Sequence, residues 1–215
     1  MIRITAIGCL HGAQPELPGG DLLLITGDLT ASCRRDELDL FLTWARLQPY
    51  ERIIYIAGNH DNHLTNMPHS QDTLTYLCDS GTVYRGFNIW GSPWTKTFKG
   101  INPNCKAFTL DTEEQLYEKF KKIPAETHIL LTHSPPFGLF DCASPKRKSL
   151  GSISLREVIY GGGDLILHVF SHIHEGGGRK MDTTLTKFAN CSIMDRWYKP
   201  THPVITFTLK EETDT

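Results

Sequence analysis

The chain has 215 residues, 40% hydrophobic and 21% charged, a length and composition that predict one compact domain, 1–215, with a sizeable core. Its 22 basic and 24 acidic residues leave a formal charge of -2, so no sequence-wide basic field exists to hold an extended nucleic-acid surface. No window approaches the roughly 18 to 20 consecutive apolar residues of a membrane span.

The opening segment MIRITAIGCLHG enters a strand pattern directly, without the basic start and apolar stretch of a signal peptide. Residues 2–8 alternate Ile2, Ile4 and Ala6 before Ile7, and 21–27 is a continuous apolar run expected of a strand buried on both faces. An amphipathic helix is predicted over 36–48, where Leu38, Phe41, Leu42 and Ala45 recur at spacings of three and four before Pro49. Residues 52–58 form the next strand, and two short strands form a hairpin around Gly86. A helix over 111–123 has an acidic first turn and lysines in its last, and a further helix is expected over 152–160. Strands are also expected at 128–133 and 164–172, with TLTKFAN and PVITFTLK completing a strand-rich C-terminus. Strands alternating with helices predict a layered α/β architecture with mixed sheets. The long segment 134–152 is expected to act as a functional lid.

Polar residues gather where the strands end. Cys9 and His11 come after the first strand, Asp28 after the second, Asn59, His60 and Asp61 after the third, His133 after the fourth, and His172 and His174 after the fifth. In open α/β sheets, the carboxyl ends of strands are where turns aim side chains into a shared crevice. Taken singly, a histidine is more often a hydrogen-bonded structural residue than a ligand, and His63, His69, His128, His168 and His202 are read that way. The joint pattern is what sets the others apart.

The ordered blocks GCLHG, ITGDLT, AGNHD, LLTHSPP and FSHIHEG resemble the calcineurin-like metallophosphoesterases, and in particular their compact metallophosphoesterase-domain-containing branch. The family pattern is D-x-H, G-D, G-N-H-[DE], a single H, then G-H-x-H. The resemblance implies a four-layer αββα sandwich of two mixed sheets flanked by helices, and two divalent metal ions (zinc, iron or manganese). It implies that one metal is held by Cys9, His11, Asp28 and His174, and the other by Asp28, Asn59, His133 and His172, with Asp28 bridging. His60 takes the place of the proton-handling histidine and Asp61 that of its supporting acid; Asp61 or a backbone carbonyl would fix the tautomer of His60. The implied activity is that of a phosphodiesterase hydrolysing a cyclic or other small nucleotide by metal-activated hydroxide, with a phosphomonoesterase or protein phosphatase as the alternative.

Two departures from the pattern matter. Cys9 stands where the family has aspartate, either as a thiolate ligand that favours zinc or iron, or as a buried thiol beside a weakened first site. The second outcome would leave a nucleotide-binding scaffold with little turnover. Ser171 replaces a glycine and would be strained if the backbone there required positive φ. The segment GDLTASCRR lacks the arginine spacing of the superfamily's protein phosphatases, which disfavours a phosphoprotein, and Arg34 and Arg35 are read as solvated surface. PKRKS at 145–149 could steer a phosphorylated ligand, and Phe137, Trp94 or Trp197 could stack on a base. Six scattered cysteines with no C-x-x-C pair favour reduced thiols in a cytoplasm.

Overall fold

The computed structural model describes residues 1–65, 73–98, 100, 102–143 and 148–210. The chain opens with β1 (Ile2–Ile7) and β2 (Gly20–Thr26), followed by α1 (Arg35–Arg46) and β3 (Tyr50–Ile56). Next come β4 (Leu74–Tyr76), the hairpin β5 (Ser80–Tyr84) and β6 (Phe87–Ser92), and the two-residue strands β7 (Thr95–Lys96) and β8 (Thr109–Leu110). After them lie α2 (Glu113–Phe120), β9 (Ile129–Thr132), α3 (Ile153–Tyr160) and β10 (Leu167–Phe170). The last three strands are β11 (Arg179–Asp182), β12 (Lys187–Asn190) and β13 (Ile205–Leu209).

One sheet has the order β13-β1-β2-β3-β4 and the other β11-β12-β10-β9-β6-β5. Both are mixed: β13 runs antiparallel to β1 and β11 to β12, while β1, β2 and β3 are parallel, as are β6, β9, β10 and β12. The period-two alternation of strands decides the layers. Ile2, Ile4, Leu22, Leu24, Ile54 and Ile56 of the first sheet share a core with Ile129, Leu131, Leu167 and Val169 of the second. Their neighbours Leu23, Ile25, Ile53 and Tyr55 point the other way, onto Leu38, Phe41, Leu42 and Ala45 of α1. On the far side, Leu130 packs with Leu116 and Phe120 of α2 and Leu155 of α3. Each fully buried side chain of this size contributes about 1.5–3 kcal/mol. The result is the four-layer αββα arrangement.

Helix ends are tighter than the periodicity predicts. Thr112 is the N-cap of α2, its hydroxyl accepting from Gln115 N at 3.3 Å while the Gln115 side chain accepts from Thr112 N. Ser152 caps α3 through Leu155 N at 3.1 Å. Sequence reasoning missed β4, β7, β8 and β11. The last, RKMD, carries no apolar alternation and is a strand because β12 pairs with it.

Candidate metal centre

The turns after β1, β2, β3, β9 and β10 bring their polar residues to one place. Cys9, His11, Asp28 and His174 form one group of donors, and Asp28, His133 and His172 a second, each group's ligand atoms lying within 4.8 Å of one another. Asp28 belongs to both. Its Oδ2 lies 3.6 Å from His11 Nε2 and 3.3 Å from His133 Nε2, while its Oδ1 accepts from the His60 amide at 2.9 Å. Asn59 completes the second group, its Oδ1 3.2 Å from His133 Nε2. The Asn59 amide is oriented by donating Nδ2 to the Cys105 carbonyl at 3.2 Å, which leaves the oxygen to the cluster.

The backbone turns sharply to make this possible. Cys9, His11, Asp28 and His172 all have left-handed φ, at 48°, 43°, 52° and 66°. A non-glycine residue held there stores on the order of 1–3 kcal/mol, strain that tends to sit where side chains are being aimed. Gly58 serves close approach: a Cβ on it would stand 2.3 Å from Asp28 Oδ1 and 2.6 Å from His133 Cε1. Ser171 is free of the strain considered for it, since its φ is not positive. Its hydroxyl donates to the Thr26 carbonyl at 2.8 Å and lies 3.3 Å from His133 Nδ1.

Carbonyl partners decide which imidazole nitrogens face inward. A carbonyl only accepts, so His133 Nδ1 donates to Thr26 O at 2.8 Å and His174 Nδ1 to Asp195 O at 3.1 Å. Each ring then turns its Nε2 to the cluster, where His174 Nε2 lies 3.2 Å from His11 Nε2. His11 Nδ1 and His172 Nε2 are buried with no hydrogen-bond partner. Lone pairs converging on oxygens and on one another are repulsive until a proton or a cation comes between them, so this donor set fits divalent metals.

The electrostatics point the same way. Burial lowers His11 to about 3 and holds His172 well below the ordinary imidazole range, and it lowers His174 as well. Burial also works against charge on His133, but the Asp28 carboxylate, its hydrogen bond and the Thr26 carbonyl outweigh it and raise the pKa. Burial likewise opposes ionisation of Asp28, yet His133 and then His11 keep its carboxyl well below the usual range. Cys9 is fully buried, and burial followed by the Asp28 charge pushes its thiol up. Its sulfur accepts from the His172 amide at 3.0 Å and takes part in the first donor group. A thiol in this position ionises when a cation binds it.

His60 and Asp61 part company. His60 Nδ1 lies 2.7 Å from the Ala31 carbonyl, so of the two partners considered for it the backbone oxygen is the one in contact. Asp61 therefore does not support His60 as its acid: its carboxylate accepts from the amides of Leu29 and Thr30 at 3.0 Å and of Gly58 at 2.8 Å. It clamps the turns that carry Asp28 and Asn59. Asn102, which sequence reasoning missed, places Nδ2 3.2 Å from His60 Nε2 and donates to the Tyr198 hydroxyl at 2.9 Å.

A cleft of about 300 Å³ opens over Asp28, Asn59, His60, His172 and His174. The rings that line it are Phe98, stacked on His172 at 5.4 Å, and Tyr198, in place of the Phe137, Trp94 and Trp197 considered from the sequence. Trp94 instead donates to Asp79 at 2.8 Å, and Trp197 is 68% exposed. The cleft's cations are Lys96, Lys106 and Arg196. PKRKS falls mostly outside the described residues, as does His69. Arg34 and Arg35 pair on the surface with Asp36 and Asp39. His128 and His168 are bonded within the fold, to Asn88 N and Thr132 Oγ1. In the 134–152 segment the buried Asp141 accepts from Gly138 and Gly151, both at 2.9 Å, which ties down the described part of the expected lid.

This fold and this donor cluster belong to the class of metal-dependent phosphoesterases. Within that class the chain is a member of the family described as Calcineurin-like phosphoesterase, which matches residues 2–176. Members of the family typically bind two divalent metals. The chain is 34% identical over 221 residues to human "Metallophosphoesterase domain-containing protein 1", covering 90% of this chain and 66% of that protein. The chain thus spans just under two thirds of that relative's length. Among solved structures, the Phosphopantetheinyl Hydrolase from Mycobacterium tuberculosis superposes with a TM-score of 0.59 at 15% identity, covering 99% of this chain and 98% of that one. A dimetal phosphatase from Danio rerio gives 0.52 at 10% identity, covering 95% and 91%. These two likenesses are of fold. Among the described residues no helix is long and apolar enough to cross a membrane.

Proposed function

We propose that this protein is a phosphodiesterase of small nucleotides, cyclic ones included, and that residues 1–215 act as one metallophosphoesterase domain. The pairing of β13 with β1 supports the single domain. The observation that carries the activity is the position of Asp28, one carboxylate shared by two histidine-bearing donor groups. Cys9, His11, Asp28 and His174 would hold one cation, and Asp28, Asn59, His133 and His172 the other. Bound there, the cations supply positive charge at phosphate oxygens and bring a water toward ionisation near pH 7.

The chain's own residues do the rest. The neutral oxygen of Asn59 adds no negative charge to the second site and so leaves it attractive to a phosphate anion. Lys96, Lys106 and Arg196 line the approach and draw the anion into the cleft. His60, held through Nδ1–H on Ala31 O, keeps Nε2 as the acceptor facing Asn102 Nδ2; as general acid that nitrogen would exchange this contact for a proton and pass it to the leaving alkoxide. Phe98 and Tyr198 offer flat faces to a base. The thiolate of Cys9 favours zinc or iron over magnesium, and six free cysteines accord with a reducing compartment.

Purified protein assayed for metal content and turned over on bis-para-nitrophenyl phosphate and on the mono ester tests this reading. The diester should be the better substrate, with two metals bound per chain. Turnover of the mono ester only would overturn the diesterase assignment, and absence of bound metal would overturn the mechanism.

A further inference from the structure

Beside the paired donor groups lies a third cluster, Cys33, His60 and Cys105, whose ligand atoms also lie within 4.8 Å of one another. It brings together three separate segments. Cys33 precedes α1 in left-handed conformation at φ 62°, His60 comes after β3, and Cys105 closes a turn on Asn102 through its amide at 3.0 Å. Both cysteines are free and half-buried, and Cys105 lines the cleft.

We propose that Cys33, His60 and Cys105 form a third cation site, specific for a thiophilic ion such as zinc, and that filling it inhibits the enzyme. The chemistry of the donors argues for this. Two sulfurs and one imidazole, with no carboxylate in the group, match the soft end of the divalent cations and leave a fourth position for water. Around a tetrahedral zinc two sulfurs stand about 3.8 Å apart, so ligand atoms that all lie within 4.8 Å of one another need only small side-chain shifts. Inhibition follows from a single lone pair. His60 commits Nδ1–H to the Ala31 carbonyl, so the ring has one nitrogen left to give, and a cation that takes it ends proton transfer by that ring.

The inhibitory half of this proposal rests on the role given to His60 above; the binding half does not. Holoenzyme is titrated with cadmium, following the thiolate-to-cadmium absorbance and the metal bound per chain, alongside turnover of the diester. Cys33→Ser, Cys105→Ser and the double variant are titrated in parallel. One more equivalent should bind to the unaltered protein than to the double variant, with extra thiolate absorbance. That equivalent should slow turnover about 10²-fold, the scale of a lost general acid, reversibly on chelation, while the double variant, read against its own rate before cadmium is added, escapes this inhibition. Equal binding by the unaltered protein and the double variant overturns the site, as does a product two hydrogens lighter with no cadmium held. Extra binding without loss of turnover would instead refute the inhibition and the part assigned to His60, with the site left standing.

Discussion

His60 Nδ1 lies 2.7 Å from the carbonyl oxygen of Ala31, and the adjacent Asp61 makes no such contact. The ring's orientation is set by main chain from the β2 side of the cleft. The carboxylate beside it holds turns together, so of two consecutive residues Asp61 is scaffolding and only His60 is left for the proton handling proposed above.

Substituting them should therefore give different signatures. His60→Ala is expected to lower kcat by about 10²–10³-fold with KM and thermal midpoint little changed. Asp61→Asn would turn an amide nitrogen toward backbone donors and should cost about 1–3 kcal/mol of stability. Parallel kinetics and thermal melts decide it: equal loss of kcat without loss of stability in both variants would contradict the division.

Asp28→Asn removes the shared carboxylate charge. Metal content should drop below two per chain, with loss of several kcal/mol of transition-state stabilisation, about 10³-fold in rate. Circular dichroism should show the fold retained. An unaltered metal count with normal turnover would mean that Asp28 does not bridge.

For Cys9 the measurement is selectivity. Cys9→Asp replaces a soft ligand by a hard one and should shift retained metal from zinc or iron toward manganese or magnesium. The unaltered enzyme should lose activity to peroxide and regain it with thiol, and the variant should not. If metal preference and peroxide response are the same in both proteins, Cys9 is a buried thiol and no ligand.

Gly58→Ala tests close approach. A Cβ would sit 2.3 Å from Asp28 Oδ1 and 2.5 Å from Asp28 N, and backbone leaves little room to yield. Destabilisation of about 1–3 kcal/mol is expected, together with reduced metal content. Wild-type affinity for metal in this variant would show that the Asp28 turn can shift.

Away from the cleft, His168 makes stability depend on pH. Burial lowers it to about 3 from an ordinary value of 6.5, so between these limits the unfolded chain binds the extra proton. Its contribution is complete above pH 6.5 and shrinks as pH falls toward 3, with a slope of at most about 1.4 kcal/mol per pH unit. Urea unfolding of His168→Gln across that window should show a flatter profile than the parent; parallel profiles would assign the slope to other groups.

The amino-acid sequence by itself determined the longer apolar strands, the helices and the list of polar residues at strand ends, but not the short or polar strands β4, β7, β8 and β11. Ile2, Ile4 and Ala6 alternate, and Leu38, Phe41, Leu42 and Ala45 recur at helical spacing, because burial of a face imposes its period on the local chain. Tertiary structure decided what each polar group touches. The Ala31 carbonyl on His60, the Leu29 and Thr30 amides on Asp61, Phe98 and Tyr198 in place of the tryptophans, and Asn102 beside His60 all come from segments far apart in the chain. No local period marks such contacts. Backbone carbonyls and amides look the same at every residue, and only the packing of two sheets selects which of them meets a given side chain.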